Sequence, residues 1–223
     1  GTQKSELINL FKEYLNYGGF PEYLETDNIE YLKTLFDNIL YRDVLIRNKI
    51  VNEKTMKELI GFIASNISKE ISFNSIKNML GLGSSTTVKD YFDYLENSFL
   101  IFLVQMYDAS LKKQMYANKK PYLIDTGMAI YLVYRISKDT GRLLENLVFI
   151  ELQRRKKEVY YHKDKYECDF VCAESLKAVF KAEAAIQVCY ELNPENRDRE
   201  IQGVLDAAKH HKLKEGVILT LEQ

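Results

Sequence analysis

The stretch Glu167-Cys168-Asp169-Phe170-Val171 places one carboxylate in the middle of a run of strand-forming residues. Because side chains alternate along a strand, Asp169 is predicted to face away from Cys168 and Phe170. A polar side chain within an otherwise apolar strand costs free energy unless it is paired or functional. Two interpretations are therefore open: Asp169 holds a ligand such as a metal ion, or it forms a structural ion pair with a nearby lysine.

A second predicted strand, at residues 185–192, carries further polar side chains, and Gln187, Cys189 and Glu191 share one of its faces. Upstream, Glu145 lies on a predicted helix that would pack beside these strands. Carboxylates that converge from neighbouring strands and a helix build Mg²⁺ sites, because this ion prefers hard oxygen ligands. The candidate catalytic set, with Asp169 as the candidate metal ligand, is therefore Glu145, Asp169, Gln187 and Glu191.

These segments belong to a predicted α/β domain over residues 136–223. The elements in order are a helix that opens at Gly141, strands at 158–162, 168–173 and 185–192, an amphipathic helix, and a strand at 216–221. This order of helix, three strands, helix and strand is typical of an α/β fold. Because the chain ends soon after the last strand, we expect the domain to be trimmed at its C-terminus.

Residues 51–135 show the pattern of a winged helix-turn-helix. A helical apolar stripe begins at Met56, a short helix follows at 73–80, and a third helix begins at 84–87. Strands predicted at 99–104 and 121–124 complete the expected order. Residues 1–50 are predicted to be a helical connector, in which Gly18-Gly19-Phe20-Pro21-Glu22 separates two helices. The expected fold class is thus mixed α+β.

The third helix of this pattern offers candidate DNA contacts, since hydroxyls and a lysine at a helix start suit phosphates and base edges. Residues 53–108, however, carry five lysines against seven acids, which argues against tight docking on a phosphate backbone. Further basic residues are expected on the wing, in the stretch between the two strands. DNA binding and packing against a protein both stay open. The candidate DNA-binding residues are Ser85, Thr86, Lys89, Lys112, Lys113, Lys119 and Lys120.

The composition excludes several classes of protein. The 223 residues carry 31 Lys+Arg against 32 Asp+Glu, so the net charge of −1 gives no general attraction to polyanions. No apolar run approaches the length of a membrane span, and the three cysteines are too few and too clustered for a disulfide framework. We therefore expect a cytoplasmic protein with no membrane partner, and leave its oligomeric state open.

Two other kinds of site are not supported by the sequence. The stretch at residues 81–89 lacks the Lys-Ser/Thr pair and the preceding strand of a phosphate-binding loop, so this chain should not bind ATP unaided. The cysteines and His162 lack the spacing of a zinc site. His210 and His211 stand at a predicted helix end, where they are expected to be surface residues that favour the helix dipole.

The sequence resembles the C-terminal region of prokaryotic AAA-type ATPases, a region described as a domain of unknown function. The order and spacing of several stretches together carry this resemblance. They are Gly18-Gly19-Phe20-Pro21-Glu22, Tyr41-Arg42-Asp43-Val44, Ser85-Thr86-Thr87-Val88 continuing to Tyr91 and Leu95-Glu96, Pro121-Tyr122-Leu123-Ile124-Asp125-Thr126-Gly127, Gly141-Arg142-Leu143-Leu144-Glu145-Asn146, and Glu167-Cys168-Asp169-Phe170-Val171.

The resemblance implies a winged helix joined to a PD-(D/E)xK nuclease-like domain, preceded by an ATPase domain that would bind ATP. Asp169 matches the metal-binding aspartate, and Glu145 matches the helix glutamate. Gln187-Val188-Cys189 falls where an active nuclease carries Glu-x-Lys. Gln187 is a neutral and weaker metal ligand, although Glu191 could partly restore the acidic count. Cys189 cannot supply the positive charge of the lysine, which should cost several kcal/mol of transition-state stabilisation.

The leading hypothesis is a non-enzymatic recognition module of an ATPase, which binds duplex DNA or a partner protein. A first alternative is a live nuclease that holds Mg²⁺ or Mn²⁺ through the candidate catalytic set. A second alternative is a structural domain for oligomerisation or protein binding.

Overall fold

The computed structural model describes residues 2–133, 139–174 and 181–221. The chain divides into two compact units. The first consists of Gly1–Leu103 and Lys119–Lys138, and the second of Val104–Asn118 and Asp139–Gln223. The expected helical connector and most of the expected winged helix thus fall in the first unit. The segment between the two expected wing strands falls in the second.

The first unit begins with three helices. These are α1 (Thr2–Tyr17), α2 (Pro21–Thr26) and α3 (Ile29–Asn38), and α3 continues into a π-helical segment at Ile39–Ile46. The glycines break the helix where the sequence predicts a break. On α1, Leu7 is 68% and Leu10 is 56% exposed, while Leu15 near the helix end is buried.

Three more helices follow in the expected order: α4 (Glu53–Ser65), α5 (Phe73–Met79) and α6 (Ser85–Asn97). The side chain of Asn52 accepts a hydrogen bond from the Thr55 N–H and so caps α4. Ser84 caps α6 in the same way through the Thr86 N–H. Between α4 and α5, Ile71 forms an isolated bridge with Lys119.

The next elements are β1 (Ile101–Met106), α7 (Leu111–Tyr116), β2 (Lys119–Leu123) and α8 (Thr126–Leu132). The expected strand pair is therefore present. The stretch between the strands is not a simple wing loop, because residues 111–116 form a helix that begins at the cap residue Ser110. The sequence also predicts a helix and a linker over residues 126–140, and the part at 134–138 lies outside the described residues.

The second unit has the predicted order of elements: α9 (Thr140–Arg154), β3 (Lys157–Lys163), β4 (Glu167–Glu174), β5 (Ala184–Val188), α10 (Arg197–His210) and β6 (Val217–Leu219). The strand β5 ends at Val188, four residues before the predicted end. Within the described residues, six strands form a mixed sheet in the order β2-β1-β3-β4-β5-β6. The β1–β3 and β5–β6 pairs are parallel, whereas β3–β4 and β4–β5 are antiparallel.

The fold class is accordingly mixed α/β. Across the described ranges, no helix combines the length and the apolar character that crossing a membrane would require.

A β-bulge in β4 changes the predicted facing of its residues. Tyr160 pairs with Val171 while His162 pairs with Cys168, so β4 has one residue more than β3 between these pairs. Cys168 and Val171 consequently face the same way and pack against Val204 of α10. Phe170 stacks on Phe149 of α9, with ring centroids 6.3 Å apart. The prediction that Cys168 and Phe170 share a face is wrong, because strict alternation does not survive a bulge.

A buried carboxylate joins two distant parts of the first unit. Asp125 Oδ1 caps α8 by accepting from the Met128 N–H at 3.0 Å, and Asp125 Oδ2 accepts from the Gly19 N–H at 2.7 Å. A side chain at Gly18, whose φ is +80°, would collide with the same carboxylate. The glycines before α2 and the aspartate before α8 therefore form one contact that holds these two segments together. Both lie within the stretches that carry the resemblance.

We predict that Asp125→Ala lowers the free energy of unfolding by about 2–4 kcal/mol, because it removes a helix cap and leaves the Gly19 N–H without its acceptor. The matched control is Asp139→Ala, since Asp139 caps α9 through Arg142 but is exposed. The control should lose only about 1 kcal/mol. Urea denaturation followed by circular dichroism measures both, and equal losses would contradict the special role of Asp125.

Candidate functional site

Three of the four candidate catalytic residues line one cavity of about 520 Å³ in the second unit. Glu145 reaches it from α9, Asp169 from β4 and Gln187 from β5, and all three side chains are buried. Glu191 does not line the cavity. It lies beyond the end of β5 and is exposed, so it cannot restore the acidic count as expected.

Side-chain hydrogen bonds link β4 to β5 beside the bulge. The paired residues of these strands end at Phe170 and Ile186. One step further along, Asp169 Oδ2 accepts from the Val188 N–H at 2.9 Å. In return, Gln187 Oε1 accepts from the Asp169 N–H at 3.3 Å. Asp169 is therefore a structural bridge between the strands as well as a wall of the cavity.

Glu200 of α10 belongs to the same cavity, and the sequence reasoning missed it. Its Oε2 accepts from Gln187 Nε2 at 2.7 Å, and its Oε1 accepts from Arg199 Nε at 3.1 Å. A hydrogen-bonded chain thus runs from Asp169 through Gln187 and Glu200 to Arg199. A signal was present in the sequence, because Glu200 lies one helical turn before Val204 and so on the apolar face of α10.

The close approach of α10 to β4 depends on Gly203. A Cβ at this position would lie 2.1 Å from the Glu167 carbonyl oxygen and 3.5 Å from Gln187 Oε1. Any larger residue would push α10 away from the strand that carries Asp169. The glycine therefore helps to hold Glu200 within reach of Gln187.

The geometry does not fit a dedicated magnesium site. Across the residues that the structure describes, no three His, Cys, Asp or Glu side chains are grouped so that they could hold a metal ion. Asp169 Oδ2 and Gln187 Oε1 already accept hydrogen bonds from the Val188 and Asp169 N–H groups. Protein donors therefore compete with a cation for these two oxygens.

Cys189 provides no positive charge to the cavity. Burial, together with the nearby carboxylates of Glu200 and Asp169, raises the pKa of its thiol to about 11, while Arg199 acts in the opposite direction. The thiol is therefore protonated and neutral at physiological pH.

The structure separates the candidate DNA-binding residues. Ser85, Thr86 and Lys89 are exposed on the first turns of α6 in the first unit. Lys112 and Lys113 are exposed on α7, which belongs to the second unit.

The expectation that Lys119 and Lys120 lie on a wing between the strands needs correction. Both residues are in β2 itself, and Lys120 is only 1% exposed. Burial, and to a smaller extent the charge of Lys89, lowers the pKa of Lys119. Their long aliphatic stems fill space in the fold, so neither side chain is displayed as a wing lysine would be.

The three histidines of the chain come together beside α10. Neighbouring ring centroids of His162, His210 and His211 are 4.9–5.5 Å apart, and His162 Nε2 lies 3.2 Å from Asp206 Oδ2. The His211 ring also packs edge-on against Tyr107. Burial lowers the pKa of His211 to about 4, with smaller effects from the other two histidines. His211 is therefore neutral at pH 7, which corrects its expected role as a cation at the helix end.

We predict that replacing Gln187 with Met lowers the free energy of unfolding by about 2–4 kcal/mol. The change leaves the Asp169 N–H and buried Glu200 without their amide partner. Gln202→Met is the matched control, because Gln202 is exposed on α10, and it should change stability by less than about 0.5 kcal/mol. Chemical denaturation of both variants is the measurement, and a neutral Gln187→Met would show that the hydrogen-bonded chain contributes nothing.

Stability should fall as the pH falls from about 6.5 towards 4. His211 takes up a proton near pH 6.5 in the unfolded state but only near pH 4 in the folded state, so acid favours unfolding. Allowing for partial exposure, we expect a loss of about 1–2 kcal/mol between pH 7 and pH 5. His211→Phe should flatten this dependence in urea titrations at the two pH values. An equal slope in wild type and variant would contradict the assignment.

A family model for a domain of unknown function, DUF8612, matches residues 8–140. The chain is 38% identical over 224 residues to the uncharacterized protein MJ1544 of Methanocaldococcus jannaschii, covering 95% of this chain and 48% of that protein. It is 31% identical over 202 residues to an uncharacterized protein of Haemophilus influenzae, covering 86% and 49% respectively. No solved structure matches it. The chain spans about half the length of these relatives, and it belongs to the DUF8612 family.

Proposed function

We propose that this chain is the recognition module of a larger AAA-type ATPase, that it associates with duplex DNA, and that its second unit is a degenerate nuclease-like domain. The observation that carries the proposal is the convergence of Glu145, Asp169 and Gln187 on one cavity. These three positions match the nuclease family's helix glutamate, metal-binding aspartate and strand acid, and they are far apart in the sequence. Chance placement of all three around one cavity is a poorer explanation than a shared ancestral site.

The proposed loss of activity follows from two substitutions at this site. Gln187 is neutral where an acid is expected, and its amide donates to Glu200. Cys189 is a protonated thiol where a lysine is expected. The first change weakens the attraction for a metal ion, and the second removes the positive charge that would stabilise the transition state.

The proposed DNA contact is the N-terminal part of α6. Its hydroxyl and lysine side chains are exposed, and the order α4, α5, α6 and a strand pair supports a winged-helix interpretation. Ile71, which lies between α4 and α5 in the chain, forms an isolated β-bridge with Lys119 of β2 in the same unit.

The proposed ATPase domain would lie in the part of the longer relatives that this chain does not cover. Both relatives are about twice the length of the matched region, which leaves room for a complete second domain. ATP would bind there, since residues 81–89 of this chain lack the Lys-Ser/Thr pair of a phosphate-binding loop.

The alternative function as a protein-binding domain is supported by one specific observation. Leu7 and Leu10 on α1, one turn apart, are both largely exposed. An exposed apolar helix face of this kind is typical of a surface that another polypeptide covers.

We predict that the triple variant Ser85→Ala, Thr86→Ala and Lys89→Ala weakens binding to a labelled DNA duplex by roughly 1–3 kcal/mol, because it removes the exposed polar groups of α6. Lys54→Ala is the control, since Lys54 is an exposed lysine on a different helix, α4. Fluorescence anisotropy at low salt measures the affinities. Wild-type protein that fails to bind duplex DNA would contradict the DNA part of the proposal.

We further predict no cleavage of DNA and no Asp169-dependent binding heat when Mg²⁺ or Mn²⁺ is titrated into the protein. Isothermal titration calorimetry of wild type and Asp169→Asn makes this comparison. A binding heat that is present in the wild type and absent in the variant, together with metal-dependent cleavage, would instead favour a live nuclease.

A further inference from the structure

The cavity has buried acids and a rim of mixed charge, in which three basic side chains stand beside the exposed acids Asp164 and Glu167. Its buried acids come from three elements, namely Glu145 of α9, Asp169 of β4 and Glu200 of α10. The basic residues that line it are exposed: Lys163 and Lys165 around the β3–β4 turn, and Arg199 at the start of α10. The resemblance implies a lysine at the position that Cys189 occupies. Position 189 therefore supplies no positive charge to the cavity.

Arg199 lines this cavity and has more N–H hydrogen-bond donors than its contact with Glu200 uses. Its Nε and Nη2 both donate to Glu200 Oε1, and its side chain is 76% exposed. A guanidinium has five N–H donors in a rigid plane, so three remain beyond those that Glu200 accepts. The hydrogen bonds to Glu200 fix one edge of the group and leave it oriented for a second acceptor.

The charge of Arg199 also acts on the position of the missing lysine. Arg199 lowers the pKa of the Cys189 thiol, against the larger effects of burial and the carboxylates. The hydrogen bond with Glu200, and to a smaller extent the charge of Asp169, raises the pKa of Arg199. The guanidinium therefore lies within electrostatic range of both the aspartate and the cysteine of the degenerate site.

We propose that Arg199 supplies the cation that position 189 lacks, and that it binds a phosphate of a nucleic-acid strand at the mouth of the cavity. This inference rests on the proposed function and adds to it the residue that holds the strand. Lys163 and Lys165 line the same cavity, but Asp164 and Glu167 line it beside them and Glu167 pairs with Lys163 at 3.8 Å, so the phosphate contact is assigned to Arg199. Arginine suits this role because its planar fork pairs with two phosphate oxygens at once.

The test compares Arg199→Ala with Arg197→Ala in the full chain. Arg197 is a matched control, since it is exposed in the same first turn of α10 and does not line the cavity. Affinity for a labelled DNA duplex is measured by anisotropy over about 50–200 mM salt. Losing one phosphate contact should reduce the slope of log affinity against log salt by about 0.9, and should weaken binding by about tenfold at low salt. Arg199→Lys should keep most of the slope, because it keeps the charge.

The outcomes separate the two proposals. The inference is supported if the slope of log affinity against log salt falls in Arg199→Ala and stays unchanged in Arg197→Ala. If the wild type binds and the α6 triple variant weakens binding, but Arg199→Ala behaves like Arg197→Ala, then Arg199 serves only to hold Glu200, and the inference is overturned while the proposed function stands. If the wild type does not bind duplex DNA at all, the DNA proposal fails and this inference fails with it. Urea denaturation of each variant checks that the exposed substitutions leave the fold intact.

Discussion

The exchange of hydrogen bonds between Asp169 and the strand β5 is the interaction on which the second unit depends. The regular pairing of β4 with β5 stops at Phe170 and Ile186, beside the bulge between β4 and β3, and the side chains of Asp169 and Gln187 make the next hydrogen bonds between the two strands. A carboxylate inside a sheet is normally a liability. Here it is satisfied by the Val188 N–H, so the residue that matches the metal-binding aspartate is also part of the framework of the sheet.

This dual role explains why a neutral residue at position 187 suits the site. A glutamate there would stand between the carboxylates of Asp169 and Glu200, and three neighbouring negative charges in a buried position are strongly unfavourable without a bound cation. The amide of Gln187 instead accepts from one neighbour and donates to the other. On the proposed function, the residue that would weaken metal binding is therefore also the one that stabilises the site in the absence of metal.

Much of the fold could be predicted from periodicity, because the order of helices and strands follows from apolar spacing and from the glycines and caps between them. The convergence of Asp169 and Gln187 also followed, since their strands are consecutive and antiparallel. The bulge could not be predicted, because it depends on how β4 pairs with β3 and leaves no mark in the spacing of residues 167–171. Burial of Lys119 and Lys120 was missed for a related reason. A lysine pair is predicted to be exposed from the sequence, because the element that covers its aliphatic stems cannot be recognised locally.

Charge, more than shape, separates binding from catalysis in this cavity. A guanidinium stays protonated at any pH at which the protein folds, so Arg199 can hold a phosphate but cannot transfer a proton. The thiol of Cys189 is neutral and uncharged, and the carboxylates beside it are occupied by N–H donors. A strand held at the mouth of such a cavity would meet a floor with no metal-binding group of three acids among the described residues. On the proposed function, such a surface would keep contacts to a nucleic acid without the charges needed to cleave it.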